Sequence, residues 1–221
     1  MTDRGGSYTP PLGHAWLTPF YDAAIRGLTR ERVWRSSFIE QIATSPGDRI
    51  LDVGCGTGSL AIALKQQMPQ AEIIGIDPDE RALMRAVTKA DGKSPSLRFV
   101  HGFLSRNILP PHWRPTTIVS SLVFHQTPLE TKRELIRAMC SLLATGGEIH
   151  IADYGTPQNA LMRVLFRMTV QLLDGVRDTQ PNADGVLLDL MCEAGLSVTI
   201  PRVVSTPTGS ISLYRAVLKN D

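Results

Sequence analysis

Cysteine is scarce in this chain of 221 residues. It has three, Cys55, Cys140 and Cys192, which are far apart and odd in number. Such a set predicts neither a disulfide framework nor a zinc site, so we expect no bound metal. Cys55 lies in a glycine-rich turn and the other two fall in predicted helices. A reducing cytoplasm is therefore the compartment that we expect for the protein.

The chain also lacks an excess of charge and a long apolar run. Its 23 Lys and Arg residues against 21 Asp and Glu give a net charge of +2, and no basic block stands out. This balance offers no electrostatic case for a nucleic-acid partner. No apolar run reaches membrane-spanning length, and residues 1–6 lack the apolar core of a secretory signal. We therefore expect no membrane span.

What the chain does have is a glycine-rich stretch between a predicted strand and a predicted helix. Residues 50–53 are mostly apolar and suit a buried parallel strand. Gly54, Gly56 and Gly58 follow at alternate positions, and a helical pattern then runs until Pro69. In a doubly wound sheet, such a unit presents backbone N–H groups and a helix N-terminus to a nucleotide-like ligand.

The spacing of these glycines separates two classes of cofactor. G-x-G-x-G is one residue tighter than the G-x-G-x-x-G fingerprint of dinucleotide-binding proteins. Residues 72–77 then predict a second strand that ends in Asp77, whose carboxylate can accept hydrogen bonds from both ribose hydroxyls of a nucleoside. Since a second dinucleotide-binding half is also lacking, a nicotinamide-linked oxidoreductase is the disfavoured alternative.

Four segments, in order along the chain, resemble the class I S-adenosylmethionine-dependent methyltransferases, in particular those that act on small molecules and quinone precursors. They are ILDVGCGTG at 50–58, IIGIDPD at 73–79, TTIVSSLVFHQTP at 116–128 and LLATGGEIHIADYG at 142–155. The resemblance implies an α/β fold, with a doubly wound, mostly parallel seven-stranded sheet, helices on both faces and a terminal antiparallel hairpin. It also implies S-adenosylmethionine as the cofactor.

The resemblance further implies which residues contact the cofactor. The glycine turn suits its amino-acid end, Asp52 suits its ammonium unless it only braces the loop, and Asp77 suits its ribose. Phe103 stands where many members of the family have an aspartate that binds the adenine amino group, so its ring could stack on the base instead. The expected cofactor-binding residues are Asp52, Gly54, Cys55, Gly56, Gly58, Asp77, Pro78, Gly102, Phe103 and Ser120.

The methyl acceptor is predicted from motifs that are absent and from the ends of two strands. The Asp/Asn-Pro-Pro-aromatic motif of nucleic-acid amino methylation is missing, and so is a Pro-Cys nucleophile. Residues 120–125 read SSLVFH, which is similar to the small-molecule enzymes. His125, Asp153 and Tyr154 follow or end predicted strands, where α/β sheets place their sites, and are the expected catalytic residues.

His125 has two interpretations. Imidazole can take a proton near neutral pH, so His125 is the candidate base. Alternatively, it orders the start of the following helix, where Thr127, Pro128 and Glu130 predict a capping box.

We expect one domain over residues 1–221. It comprises an amino-terminal helical cap (1–45), a cofactor-binding half (46–155), and acceptor-side helices with the terminal hairpin (156–221). Residues 16–21, and Tyr21 in particular, either face the pocket or pack on the sheet. The predicted helix at 157–174 carries one polar stripe of Arg163, Arg167 and Gln171. Its apolar remainder could cover the acceptor, form a homodimer interface, contact lipid or pack in the core.

The predicted function is methyl transfer from S-adenosylmethionine to a small, partly apolar molecule, at oxygen or carbon. The alternative is a regulatory protein that binds S-adenosylmethionine or S-adenosylhomocysteine without catalysis.

Overall fold

The structure, a computed structural model, describes residues 30–42, 47–90 and 96–219. The predictions for residues 16–21 and for Tyr21 lie outside this part of the chain. Of the predicted helix near residues 22–44, the described part contains Glu31–Gln41.

The described residues form a seven-stranded sheet in the order β3-β2-β1-β4-β5-β7-β6. Strands β1 to β5 are parallel, and β7 runs antiparallel to both β5 and β6. The strands are β1 (Arg49–Val53), β2 (Glu72–Asp77), β3 (Leu97–His101), β4 (Thr117–Ser121), β5 (Glu148–Tyr154), β6 (Leu196–Thr206) and β7 (Gly209–Leu218). This confirms the predicted doubly wound sheet with its terminal hairpin.

Helices connect the strands and flank the sheet. They are α1 (Glu31–Gln41), α2 (Ser59–Gln67), α3 (Glu80–Ala90), α4 (Leu129–Leu142), α5 (Ala160–Phe166), α6 (Val176–Ala183) and α7 (Val186–Glu193). Helix α5 continues through a π-helical turn, Arg167–Gln171, into a last helical turn, Leu172–Asp174. The prediction of a helix over 157–174 is thus close, whereas α6 was not predicted.

Successive residues of the inner strands point to opposite faces and build two apolar cores. Leu51 and Ile74 belong to one core, with residues of α4 and α7. Ile50 and Ile73 belong to the other, with residues of α1, α2 and α5. Because both faces are covered, the strands read as continuous apolar runs, as buried parallel strands do.

The predicted capping box of α4 is wrong. The helix begins at Leu129 with Pro128 at the N-cap and has no side-chain cap. The Thr127 hydroxyl instead donates to the Phe124 carbonyl at 2.9 Å, and Glu130 pairs with Arg133. The Phe124 carbonyl belongs to the 3₁₀ turn Phe124–Gln126. Because the Thr127 hydroxyl is bound to this turn, it does not cap the helix.

Candidate active site

The glycine turn lies where the order of the sheet reverses, between β1 and β4. In open α/β sheets, ligands bind at this point, outside the carboxyl ends of the strands. Gly54, Gly56 and Gly58 have positive φ angles of 71°, 51° and 71°, which side chains rarely adopt. The N–H groups of Gly54 and Cys55 both donate to the Ile76 carbonyl, at 2.8 and 3.0 Å. The turn is therefore attached to the end of β2.

The three glycines differ in what surrounds them. A Cβ on Gly54 would lie 2.3 Å from Val123 Cγ2, and one on Gly58 would lie 2.7 Å from Phe99 Cζ. Close packing therefore requires glycine at these two positions. A Cβ on Gly56 would meet nothing within 4 Å. Gly56 thus faces open space in which a ligand can approach the backbone.

Asp77 ends β2 beside this turn, as predicted. Its Oδ2 accepts from the Gly56 N–H at 2.7 Å and its Oδ1 from the Asp79 N–H at 2.8 Å. Burial raises the pKa of this carboxyl group, although the two N–H groups oppose the rise. These contacts fix the orientation of the carboxylate and leave each oxygen with further lone pairs for ribose hydroxyls.

Asp52 is fully buried, and within the described residues neither of its oxygens has a hydrogen-bond partner. Burial, together with the charge of Asp77, raises its pKa to about 7. The positive charge of Arg35 and a weak approach by the Ala61 N–H act in the opposite direction. Buried carboxylates are normally paired, and the two oxygens of Asp52 suit a cationic group such as the ammonium of S-adenosylmethionine.

The remaining predicted cofactor residues have these positions. Burial raises the pKa of the Cys55 thiol, and the Gly102 N–H donates to the Asp77 carbonyl at 3.0 Å. Phe103 is 61% exposed, so its ring is free to stack on a base. Ser120 is fully buried and donates to the Val53 carbonyl at 2.8 Å, and the Pro78 carbonyl contacts His101 Nε2 at 3.0 Å. Their contacts to a cofactor stay predictions.

The three predicted catalytic residues are brought together at the carboxyl ends of β4 and β5. Asp153 is fully buried and accepts from the Phe124 N–H at 2.7 Å, the Tyr154 N–H at 2.7 Å and His125 Nδ1 at 2.8 Å. These contacts attach β5 to the turn after β4, in which Leu122 has a positive φ of 56°. Asp153 therefore holds a turn that includes an unfavourable backbone conformation.

His125 is buried between two carboxylates. Its Nδ1 contacts Asp153, and its Nε2 lies 3.6 Å from Asp174 Oδ2, in the last turn that follows α5. Burial by itself lowers the pKa of His125, but the charges of Asp153 and Asp174 and their hydrogen bonds raise it to about 9. The imidazole is thus protonated at neutral pH, and its role as a base stays a prediction.

A buried lysine and a buried amide extend this cluster. Lys132 is fully buried, and its Nζ donates to the Thr127 carbonyl and, at 2.8 Å, to the Asp178 carbonyl. Burial lowers its pKa to about 8, with Asp153 and Asp178 opposing the change. Asn182 donates to the Tyr154 carbonyl at 3.1 Å. The polar groups at the end of β5 are therefore largely paired with one another, although Asn182 Oδ1 has no partner among the described residues.

Tyr154 is buried, and its hydroxyl forms a 2.7 Å hydrogen bond with the Thr208 hydroxyl. Its ring contacts that of His125 edge-on, with centroids 5.0 Å apart, and that of Phe166 at 5.3 Å. Tyr154 thus links His125 to α5. Whether it acts in catalysis also stays a prediction.

Helix α5 and the turns that continue it have a buried face and an exposed face. Phe166, Val170 and Gln171 are buried, and Gln171 Nε2 donates to Gln180 Oε1 at 2.9 Å. The other face exposes large apolar side chains, at 50–78% of their area. They are Leu161, Val164, Met168, Leu172 and Leu173. Gln171 is therefore buried and, contrary to the prediction, does not belong to an exposed polar stripe with Arg163 and Arg167. The exposed part of the helix is largely apolar.

Several residues of the site were not singled out from the sequence. Lys132 and Asp174 join the acceptor-side cluster, and Arg35 lies near Asp52. Each is an ordinary charged residue of an amphipathic helix, so no local pattern distinguishes it from a solvated one.

The fold and this site define the class of protein. A parallel sheet with an antiparallel β7, a G-x-G-x-G turn at the reversal of strand order and an acid at the end of β2 are the features of a Rossmann-like methyltransferase.

Known proteins agree with this assignment. A family described as "Methyltransferase domain" matches residues 50–147. The demethylmenaquinone methyltransferase of Deinococcus radiodurans is 34% identical over 161 residues, which make up 71% of this chain and 65% of that protein. An uncharacterized methyltransferase of Alkaliphilus oremlandii is 31% identical, with 69% of each chain covered. The chain belongs to the class I S-adenosylmethionine-dependent methyltransferase family.

A solved structure extends the likeness to the fold. An O-methyltransferase family protein from Burkholderia thailandensis superposes with a TM-score of 0.72 at 16% identity, over 92% of this chain and 59% of that one. The chain therefore spans about two thirds or less of the Deinococcus and Burkholderia proteins. In the described ranges, no helix combines the length and apolar character needed to cross a membrane.

Proposed function

We propose that the protein binds S-adenosylmethionine directly and transfers its methyl group to a small, partly apolar acceptor with an ionisable hydroxyl, such as a quinol. The observation that carries the proposal is the buried carboxylate of Asp52, which has no hydrogen-bond partner among the described residues and lies on β1, the strand that leads into the glycine turn. The name of the Deinococcus relative supports a quinol as acceptor.

S-adenosylmethionine, when bound, supplies an electrophilic methyl group on a sulfonium and a thioether leaving group. Asp77 would hold the ribose hydroxyls, because its two oxygens are already oriented by backbone N–H groups. Asp52 would pair with the ammonium and become ionised, since a neighbouring positive charge favours the carboxylate. The main task left to the protein is then to orient the acceptor.

The acceptor would be enclosed by apolar side chains. Large exposed apolar patches usually mark a binding surface, and the exposed face of α5 with its continuing turns is such a patch. We propose that this face covers the acceptor. A subunit interface or a lipid surface would be the alternative use of the same face.

His125 would act on the hydroxyl of the acceptor. Asp153 orients the ring through Nδ1, so that Nε2, now 3.6 Å from Asp174, is the nitrogen available to an acceptor. In its neutral form this nitrogen can take the proton of a quinol or phenol, which makes the oxygen or the ring carbon more nucleophilic. The high pKa of His125 makes its neutral form a strong base, although only a small fraction of the imidazole is neutral at pH 7.

The test is a transfer assay with S-adenosylmethionine labelled in its methyl group. The acceptors are a prenylated naphthoquinol that lacks its ring methyl, the same ring without the chain, a simple catechol, and total RNA. We expect label in the quinols, more with the chain than without it. Mass spectrometry after ether cleavage distinguishes O-methyl from C-methyl products. Label confined to RNA, or absent from every quinol and phenol, would contradict the proposal.

A further inference from the structure

The amino-acid end of S-adenosylmethionine is a zwitterion, and Asp52 suits only its ammonium. The carboxylate at the same end needs hydrogen-bond donors or a cation in a buried position. The following inference rests on the proposed function, because it assumes that this ligand binds beside Asp52.

The backbone of the glycine turn has few donors left. The N–H groups of Gly54 and Cys55 donate to the Ile76 carbonyl, that of Gly56 to Asp77, and that of Gly58 to the Cys55 carbonyl. All four are therefore engaged in holding the turn to β2 or to itself. A carboxylate bound beside these four groups gains little from them, and a side-chain cation nearby would be a stronger partner for it.

Lys89 is one cation beside the turn. It is exposed, and its Nζ contacts the Thr57 hydroxyl at 2.6 Å, the Thr57 carbonyl at 3.3 Å and the Ser59 hydroxyl at 3.4 Å. It lies on the solvent side of the turn, over the start of α2. Its position favours bracing of the turn over contact with a buried ligand.

Helix α1 brings a second cation, Arg35, towards the site. The helix starts near the carboxyl ends of the strands, where Arg30 donates to the Ser205 carbonyl. It ends beside the inner parts of β5 and β7, away from the carboxyl end of β5, where Gln41 contacts His150 and the Tyr214 carbonyl. The second turn of α1, which holds Arg35, is therefore near the edge of the sheet that carries Asp52.

Arg35 is held with part of its guanidinium uncommitted. Its Nη2 pairs with Glu31 one turn earlier, and its guanidinium carbon lies 5.3 Å from the centre of the Trp34 ring. Its Nε is buried and has no partner among the described residues, and the same holds for Trp34 Nε1 and both oxygens of Asp52. Arg35 is near enough to Asp52 for its charge to lower the pKa of that carboxyl.

We infer that Arg35 binds the carboxylate of the amino-acid end of S-adenosylmethionine, opposite the ammonium site at Asp52. A guanidinium presents its donors in a planar fork that matches a carboxylate, and the uncommitted Nε is one prong of that fork. Glu31 orients the other side of the group. Buried polar atoms without partners cost free energy, and a zwitterion here would satisfy those of both Arg35 and Asp52.

Calorimetric binding with three ligands tests the inference without any catalytic turnover. The ligands are S-adenosylhomocysteine, decarboxylated S-adenosylmethionine, which keeps the amine but lacks the carboxylate, and methylthioadenosine, which lacks the whole amino-acid end. For Arg35→Gln we expect at least roughly tenfold weaker binding of S-adenosylhomocysteine, the size of one lost charged hydrogen bond. Binding of the other two ligands should stay within about twofold. Arg35→Lys should recover part of the loss.

Two control variants complete the design. Arg32→Gln changes an exposed arginine of the same helix and should bind all three ligands as the wild type does. Lys89→Met removes the brace on the glycine turn and should change the binding of all three ligands by a similar factor. An Arg35→Gln variant that keeps its affinity for S-adenosylhomocysteine, or loses affinity for all three ligands equally, overturns the inference. So does a carboxylate-dependent loss in Lys89→Met. If the wild type binds none of the ligands, the proposed function itself fails.

Discussion

Asp52 and Asp153 are both fully buried aspartates near the carboxyl ends of parallel strands, with β4 between their strands. Asp153 accepts hydrogen bonds from three backbone N–H groups and from His125. Asp52 accepts none from the described residues, and its pKa is raised to about 7. One carboxylate is paired within the fold, and the other has no hydrogen-bond partner in the part of the chain that the structure describes.

The comparison shows how burial and pairing together indicate a role. A buried charge that the protein itself satisfies contributes to structure, and its removal leaves its partners without a counter-charge. A buried charge that the protein leaves unsatisfied costs stability, which is tolerated where a ligand compensates for it. Five predictions test this distinction, from the largest expected effect to the smallest.

Replacement of Asp153 should damage the fold most. In Asp153→Ala, the N–H groups of Phe124 and Tyr154 and the charge of His125 lose their acceptor, and we expect about 3–5 kcal/mol less stability. Urea denaturation at pH 7 measures the change. A loss below about 1 kcal/mol would remove the structural role assigned to this carboxylate.

His125 should affect turnover more than cofactor binding. If its neutral form is the base, kcat of the wild type rises with pH up to about 9, the pKa of His125, and levels off above it. His125→Ala should lower kcat roughly 100-fold or more and abolish that rise, with the affinity for S-adenosylhomocysteine nearly unchanged. A wild-type kcat that falls above pH 9 would instead indicate that the imidazolium is the active form.

His125 should also make the stability of the protein depend on pH. Its folded pKa lies above the ordinary value of 6.5, so the ion pairs with Asp153 and Asp174 stabilise the protein fully below about pH 6.5. That contribution is lost as the pH rises through about 9. The melting temperature of His125→Gln should therefore differ from that of the wild type more at pH 6 than at pH 10.

Asp77 should matter for the ligand. Loss of hydrogen bonds from ribose hydroxyls to a charged acceptor costs about 1.5–3 kcal/mol, so Asp77→Ala should bind S-adenosylhomocysteine at least roughly tenfold more weakly. Calorimetry measures this directly. Asp79→Ala, at the neighbouring exposed turn, serves as the control, and equal affinities of Asp77→Ala and wild type would exclude Asp77 from the site.

Replacement of Asp52, unlike that of Asp153, should weaken ligand binding without lowering the stability of the fold. Its pKa is raised from 3.8 to about 7, so the stability of the ligand-free protein falls as the pH rises through this interval and stays lowered above it. At pH 8 we expect Asp52→Asn to be as stable as the wild type or more stable, by about 1–2 kcal/mol. The variant should nonetheless bind S-adenosylhomocysteine more weakly, and binding to the wild type at pH 7 should release protons. A destabilised Asp52→Asn that binds normally would reverse the roles of the two aspartates.

The sequence by itself determined the framework and one half of the site. The alternation of strands and helices, the terminal hairpin, the glycine turn and Asp77 all follow from short-range patterns. Apolar runs of strand length, glycines that permit positive φ and an acid at the end of a strand act within a few residues of themselves. The prediction of the sheet was therefore confirmed, and the position of Asp77 at the end of β2 agrees with it.

Only the tertiary structure decided which charges are paired. Asp174 reaches His125 from the last turn after α5, Lys132 lies near Asp153 of β5, and Arg35 reaches the vicinity of Asp52 from α1. The capping box at Thr127 failed for a local reason, because its hydroxyl donates to the Phe124 carbonyl three residues earlier. Hydrogen bonds and ion pairs depend on distances of about 3 Å between groups that the chain separates. Local sequence patterns carry no record of such distances.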